Sequence, residues 1–284
     1  MSGVSKTDIG RYLGLSLGGA KSDKTSLTVI DYYKKQDKAF VVDVFEAIGP
    51  QRESKADAQD ELSADQVIFQ LIKEHSPGIE VLGADVPLTL PPCLLSCLSS
   101  CKGYEKCKKS EVRWMNNQYR KMKKKNTKLK HFTPYTQRPV DLYFRYLFEA
   151  SDILQDETLG ANLAPQAARM QYLKRHIKNI KLIEVWPKLT LFCIHKALKI
   201  THNEMLSYRN IENGVEIREK ILEQLVERCP IFIYDRDLKK LILNISSFDS
   251  FLCGWVSLLF AQEKVVKFKR DLPLESGWVQ VPEI

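Results

Sequence analysis

Early in the chain the apolar positions come in short blocks. "YLGLSL" (12–17) and "SLTVIDYY" (26–33) are apolar and rich in β-formers, and the polar, glycine-bearing "GGAKSDKT" lies between them, so the pair predicts a hairpin. After the polar turn "KKQDK", "AFVVDVFEAI" (39–48) adds a third strand, and connections this short imply antiparallel pairing. The period then changes. "SADQVIFQLIKEH" opens on Ser63 with Gln66 at capping-box spacing, and Val67, Ile68, Leu71 and Ile72 form one apolar face, which predicts a helix.

"IEVLGADVPL" (79–88) reads as a buried strand that ends at Asp85 and a proline. "IKLIEVWP" (180–187) repeats the pattern with Glu184. Between them "SEVRWMNNQYRKMKKK", "PVDLYFRYLFEASDI" and "PQAARMQYLKRHIKN" have helical periodicity. "SSFDSFLCGWVSLLFAQEK" predicts a strongly apolar closing helix with Asp249 in its first turn, and "GWVQVP" follows near the end.

The glycine pair at 18–19 followed by Lys24 and Thr25 suggests a phosphate-cradling loop. Such a loop needs glycine before the lysine, and Asp23 stands there, a carboxylate that would repel phosphate. The hairpin reading is therefore preferred.

A chain of 284 residues, 44% apolar and 27% charged, can bury a full core. Its longest apolar stretch, "FLCGWVSLLFA", has 11 residues, short of the roughly 20 that span a bilayer. No apolar signal-peptide core opens the sequence, and seven cysteines form an odd set. These features predict a cytoplasmic protein with reduced or metal-bound thiols and no membrane partner. The charge of +8 favours polyanions. It is concentrated in "RKMKKKNTKLK" (120–130), where seven of eleven positions are basic, and Phe132 and Tyr135 just beyond are candidates to stack on bases. A solvated lysine-rich helix end is the competing reading.

Three hairpin-linked strands, a helix, a strand, helices, a strand and a last helix is the element order of the ribonuclease H-like fold. That predicts an α/β domain over 1–284 with a mixed five-stranded sheet flanked by helices, and a mainly helical, cysteine-bearing insertion at 89–179. Asp85, Glu184 and Asp249 fall where that fold gathers catalytic carboxylates. "GLSLGG", "GADVPLTLPP", "YTQRPVDLYFR", "IEVWP", "SFDSFLCGWVSLLFA" and "SGWVQVP", in this order, together resemble the family called domain of unknown function 429, regarded as predicted nucleases of the ribonuclease H-like superfamily.

The resemblance implies phosphodiester cleavage with Mg²⁺ or Mn²⁺ held by Asp85, Glu184 and Asp249, on a nucleic-acid substrate. The ions would activate water and stabilise developing charge. On the first strand, where the superfamily pattern wants an aspartate, this chain has Ser16. The loss of one charge and one bridging ligand leaves a catalytically inactive nucleic-acid-binding module of the same fold as the alternative, with Asp23 and Asp43 as candidate substitutes. An actin-like nucleotide phosphotransferase is a third reading, but the chain offers no second phosphate loop.

Each acid also has a structural role open to it: a turn hydrogen bond for Asp85, a helix-start charge for Asp249, and pairing with Arg138 for Glu184. In "RPVDLYFR", Arg138 is a candidate to bind a substrate phosphate or orient a site carboxylate, while Asp141 and Arg145 are spaced for a helix-face ion pair.

Cys93, Cys97, Cys101 and Cys107 crowd into "PPCLLSCLSSCKGYEKC". That density suggests a structural Zn²⁺ site. On one straight helix the first and third of these would be about 12 Å apart along the axis, so all four can meet one ion only where the segment bends. Small buried thiols on a helix are the competing reading. The five histidines have no metal or triad spacing.

Overall fold

The computed structural model describes residues 8–52, 61–76, 78–95, 100–125, 131–147, 157–160, 163–267, 272–273 and 277–283. They form two compact units: one of 1–86, 172–266 and 280–284, the other of 87–171 and 267–279.

In the first unit β1 (Ile9–Ser16), β2 (Ser26–Tyr33) and β3 (Lys38–Phe45) make the expected antiparallel meander. Its first hairpin keeps one register from Ile9↔Tyr33 to Ser16↔Ser26. The glycine-lysine segment is its connection, with the Gly18 N–H donating to Thr25 Oγ1 at 3.1 Å. The minor pair β4 (Gln51–Arg52) and β5 (Glu61–Leu62) follows. α1 (Ala64–Glu74) starts at the expected capping box, the Ser63 N–H donating to Gln66 Oε1 at 2.7 Å and Ser63 Oγ accepting from the Gln66 N–H at 3.3 Å. β6 (Ile79–Ala84) then pairs parallel to β1.

The second unit contains α2 (Pro92–Leu95), α3 (Ser110–Lys125), α4 (Pro139–Leu142), a π-helical turn over Tyr143–Leu147 and the start of α5 (Leu163–His176). Met115, Tyr119, Phe132 and Leu142 form its apolar centre, with Trp114 and Met122 packed against it.

Back in the first unit, β7 (Lys181–Val185) pairs parallel to β6. Then come α6 (Pro187–Ile194), α7 (His202–Ser207), α8 (Gly214–Arg228), β8 (Ile231–Phe232), α9 (Asp235–Leu243), α10 (Ile245–Ala261) and, at the boundary, β9 (Val279–Gln280). The sheet runs β8-β3-β2-β1-β6-β7-β9. It is mixed and helix-flanked as expected, with seven strands instead of five. The two extra strands, β8 and β9, have two residues each, too short to show a period in sequence.

α10 is the helix that builds the core. Its residues from Ser247 to Leu259 are all buried, because its axis lies directly on β1 and β6. Two glycines that are register partners, Gly14 and Gly83, make room for it. A Cβ on Gly14 would lie 1.9 Å from the Ser250 carbonyl oxygen, and one on Gly83 would lie 2.6 Å from that of Cys253. Serines tie the contact: Ser250 Oγ and Thr28 Oγ1 share a hydrogen bond of 2.6 Å, and Ser257 Oγ donates to the Leu13 carbonyl at 3.2 Å. The apolar run of α10 thus answers to the sheet. Among the described residues no single helix is long and apolar enough to cross a membrane.

Candidate functional site

The sheet's first, antiparallel half and its parallel half meet at β1 and β6, and both strands end at the same level. There the Asp85 N–H, just past the end of β6, donates to the Leu15 carbonyl at 3.1 Å. Its carboxylate turns back to β1: the Ser16 hydroxyl donates to Oδ2 at 2.6 Å and the Leu17 N–H to Oδ1 at 2.9 Å. Ser16 is therefore an orienting donor to the neighbouring strand's acid.

Alternation along β6 puts Asp85 on the same face as Gly83, the face covered by α10. Asp249 arrives on that face from α10 itself. The helix starts one residue earlier than the sequence pattern indicates, because the Asn244 side chain caps it by accepting the N–H groups of Ser246 and Ser247 at 2.9 and 3.2 Å. Asp249 consequently sits in the second turn, and a helix-start charge does not explain it. Its carboxylate, 2% exposed, has two other partners. The Tyr208 hydroxyl donates to Oδ1 at 3.0 Å, and the Arg209 guanidinium pairs with Oδ2. Arg209 is further fixed by its Nε–H, which donates to Tyr208 Oη at 3.0 Å.

The two acids feel one another. Removal from water pushes the Asp85 carboxyl up to about 6, and the charge of Asp249 adds to that rise, against the hydrogen bonds from Ser16 and Leu17 and the charge of Arg209. Burial and the same Asp249 charge drive the Tyr208 phenol far above its ordinary range, so it stays a donor. The Asp249 charge also holds the Arg209 guanidinium more firmly protonated than usual.

Glu184 is not brought to this face. It is the register partner of Ala84 on β7, so its side chain leaves the sheet on the opposite side from Asp85. There it accepts the Trp186 indole N–H at 2.8 Å and its charge acts on Lys174 of α5. Asp43 lies at the end of β3 beside Arg236 and Lys240, at 3.4 and 3.8 Å.

In the second unit Arg138 is completely buried. Its Nη2–H donates to Asp141 Oδ1 at 3.1 Å, its Nη1–H to Thr89 Oγ1 at 2.9 Å, and its backbone N–H to Asp141 Oδ2 at 2.8 Å. It holds the start of α4. Phe132, read as a base-stacking ring, is 3% exposed in the apolar centre, because Met115 and Tyr119 of α3 need a partner there; Tyr135 remains 56% exposed. Residues 126–130 of the basic run lie outside the described residues.

Cys93 opens into α2, which is described only as a single turn, while Cys101 is exposed and Cys107 closes a short turn over Tyr104–Lys106. Cys97 lies outside the described residues. Among the described residues no group of three His, Cys, Asp or Glu side chains is placed to hold a metal ion.

Sequence reasoning missed Arg209 and Tyr208. "SYRNIENG" has no periodicity to draw attention, yet a signal existed: Asp249 between Phe248 and Phe251 in an apolar helix needs a buried donor or cation from elsewhere. Comparison with known protein families, curated proteins and solved structures finds no match for this chain.

Proposed function

We propose that the chain is a ribonuclease H-like protein that cleaves phosphodiesters of nucleic acid with one divalent cation, Mg²⁺ or Mn²⁺, at Asp85 and Asp249. The observation that carries this reading is the pairing of those acids. They come from a strand end and a distant helix, share a water-poor site, and repel one another enough to help lift Asp85 to about 6, which is the arrangement a cation relieves. The order β3-β2-β1-β6-β7, with β1 to β3 antiparallel and β6 and β7 parallel to β1, supports the fold assignment. So does the segment-by-segment resemblance to the domain of unknown function 429 family.

The donor set suits one hard ion and not two. Mg²⁺ is commonly held by one or two carboxylates with water filling the shell, and Asp85 and Asp249 supply those, with the Ser16 hydroxyl beside them. A third carboxylate for a second ion is missing from this face among the described residues, since Glu184 points away. When bound, the ion supplies an acidified water and a positive charge for the phosphate. The chain's own groups do the rest. Ser16 and Leu17 fix both oxygens of Asp85, Tyr208 and Arg209 fix those of Asp249, and the buried face of α10 excludes water.

A second reading, a binding module without chemistry, is favoured by one observation. All four carboxylate oxygens already accept hydrogen bonds from the protein. Purified chain incubated with single- and double-stranded DNA, RNA and hybrids separates the two. Cleavage that needs Mg²⁺ or Mn²⁺ and is lost in Asp249→Asn supports the nuclease; retention of nucleic acid without cleavage supports the module. Cleavage unchanged by Asp249→Asn sinks the site.

A further inference from the structure

We propose that Arg209 is the phosphate-binding residue of this site, and that it serves Asp249 as a resident counter-ion until a divalent cation takes its place. The inference rests on Asp85 and Asp249 forming the site, and it goes beyond that reading by assigning the anion-recognising group.

Arg209 follows α7 and precedes α8, on a segment anchored by Tyr208, which is 1% exposed. The two ends of its contact with Asp249 differ sharply. The carboxylate is 2% exposed and the arginine side chain 43% exposed, so the pair sits at a mouth with its acid inside and its cation at the opening. Nε and Nη2 are used on Tyr208 and Asp249, and the guanidinium carbon lies 5.8 Å from the Tyr208 ring centre, held against that ring. Among the described residues Nη1 has no hydrogen-bond partner, which leaves it for a ligand. With Nε and Nη2 engaged, Nη1 offers a phosphate one point of contact; released from Asp249, the guanidinium has Nη1 and Nη2 together, the planar fork that grips a phosphate at two points.

Charge decides when it can do so. With both acids ionised, Arg209 and the buried Arg218, whose charge also acts on Asp249, bring the local sum to zero, which gives a phosphodiester no net pull. A divalent ion changes the sum to +2. It also competes with Arg209 for Asp249, releasing the guanidinium toward solvent, where the phosphate arrives. Divalent ion and phosphodiester should therefore each tighten the binding of the other, while Arg209 opposes the ion and favours the phosphodiester.

The test uses the full chain with Mn²⁺ alone, followed by electron paramagnetic resonance, and a short fluorescent single-stranded oligonucleotide in Ca²⁺, followed by anisotropy. Arg209→Gln is expected to bind Mn²⁺ several-fold more tightly and the oligonucleotide about tenfold more weakly, the loss of one charge-assisted contact. Arg209→Lys, which keeps the charge without the fork, is expected between the wild type and Arg209→Gln on both, and circular dichroism checks that each variant is folded. Unchanged or weaker Mn²⁺ binding in Arg209→Gln overturns the counter-ion role, and unchanged oligonucleotide binding overturns the phosphate role. Either result leaves the two acids standing as long as Asp249→Asn abolishes Mn²⁺ binding. If neither the wild type nor Arg209→Gln binds Mn²⁺, the site reading fails and this inference with it.

Discussion

Replacing Asp85 with asparagine should make the metal-free protein more stable at neutral pH, and only there. The carboxyl ordinarily titrates at 3.8 and in the fold at about 6. A group whose native pKa is raised binds protons more readily folded than unfolded, so its contribution to stability is full below about pH 4 and is lost as pH climbs through about 6. The rise of about two decades in proton affinity, at ~1.4 kcal/mol per decade, sets a ceiling of about 3 kcal/mol. Asp85 retains some solvent contact, which reduces the expected cost of ionisation to about 1–2 kcal/mol. Asparagine escapes that cost. Its Oδ1 can still accept the Leu17 N–H, and its amide can donate to Ser16 Oγ, the hydroxyl reversing from donor to acceptor. Urea unfolding in EDTA at about pH 7.5 and about pH 3, below the ordinary carboxyl range, reading the midpoint at constant slope, measures the difference. The variant should lead by about 1–2 kcal/mol at the higher pH and by almost nothing at the lower. A lead that persists or grows toward acid would mean that Asp85 is not held up by its surroundings, and the argument for a cation-seeking acid pair would fall.

Three further outcomes follow from geometry. Gly14→Ala should cost at least about 3 kcal/mol, or displace α10, since its Cβ would meet the Ser250 carbonyl oxygen at 1.9 Å; a urea midpoint close to wild type would refute the direct contact between β1 and α10. Ser63→Ala should lose the capping box of α1 and about 1 kcal/mol, and a loss below a few tenths would show that the cap is idle. Iodoacetamide at mildly alkaline pH, mapped by mass spectrometry, should modify exposed Cys101 before Cys193, which burial pushes up to about 12, and Cys253, which is completely buried; early labelling of Cys253 would contradict the packing of α10.

The parts of the fold that were legible in the sequence are those whose signal is local. The hairpin of β1 and β2 is two apolar blocks of β-formers around a polar, glycine-bearing turn, and α1 announces itself by Ser63 and Gln66. The stretch from α6 to α9 has no comparably simple reading. α6 is short and apolar on most sides, with Pro187, Leu189, Thr190, Leu191 and Ile194 all buried, so the amphipathic stripe that marks a surface helix is lost. Phe132 shows the opposite failure. An aromatic residue beside a lysine run looks like a nucleic-acid contact by composition, and only the spacing of Met115 and Tyr119 on α3 reveals the apolar surface that claims it.

The same distinction explains why half of the candidate site was visible. Asp85 and Asp249 stand out because each interrupts an apolar run, and an ionised group in such a run demands a reason. Glu184 stands out for the same cause and yet belongs to the other face, since a strand sends successive side chains to opposite sides and its one-residue offset from Asp85 in the β6–β7 register reverses its direction. Arg209 interrupts nothing: an arginine in a polar loop is ordinary. Its importance arises only when α10, seated on the glycines of β1 and β6, carries Asp249 beneath it. The cation is then fixed by the acid, the acid by the helix, and the helix by the absence of two side chains at Gly14 and Gly83. A disturbance at those glycines should therefore loosen the Arg209–Asp249 pair before it reaches Asp85, whose bonds to Ser16 and Leu17 are made across the strands themselves.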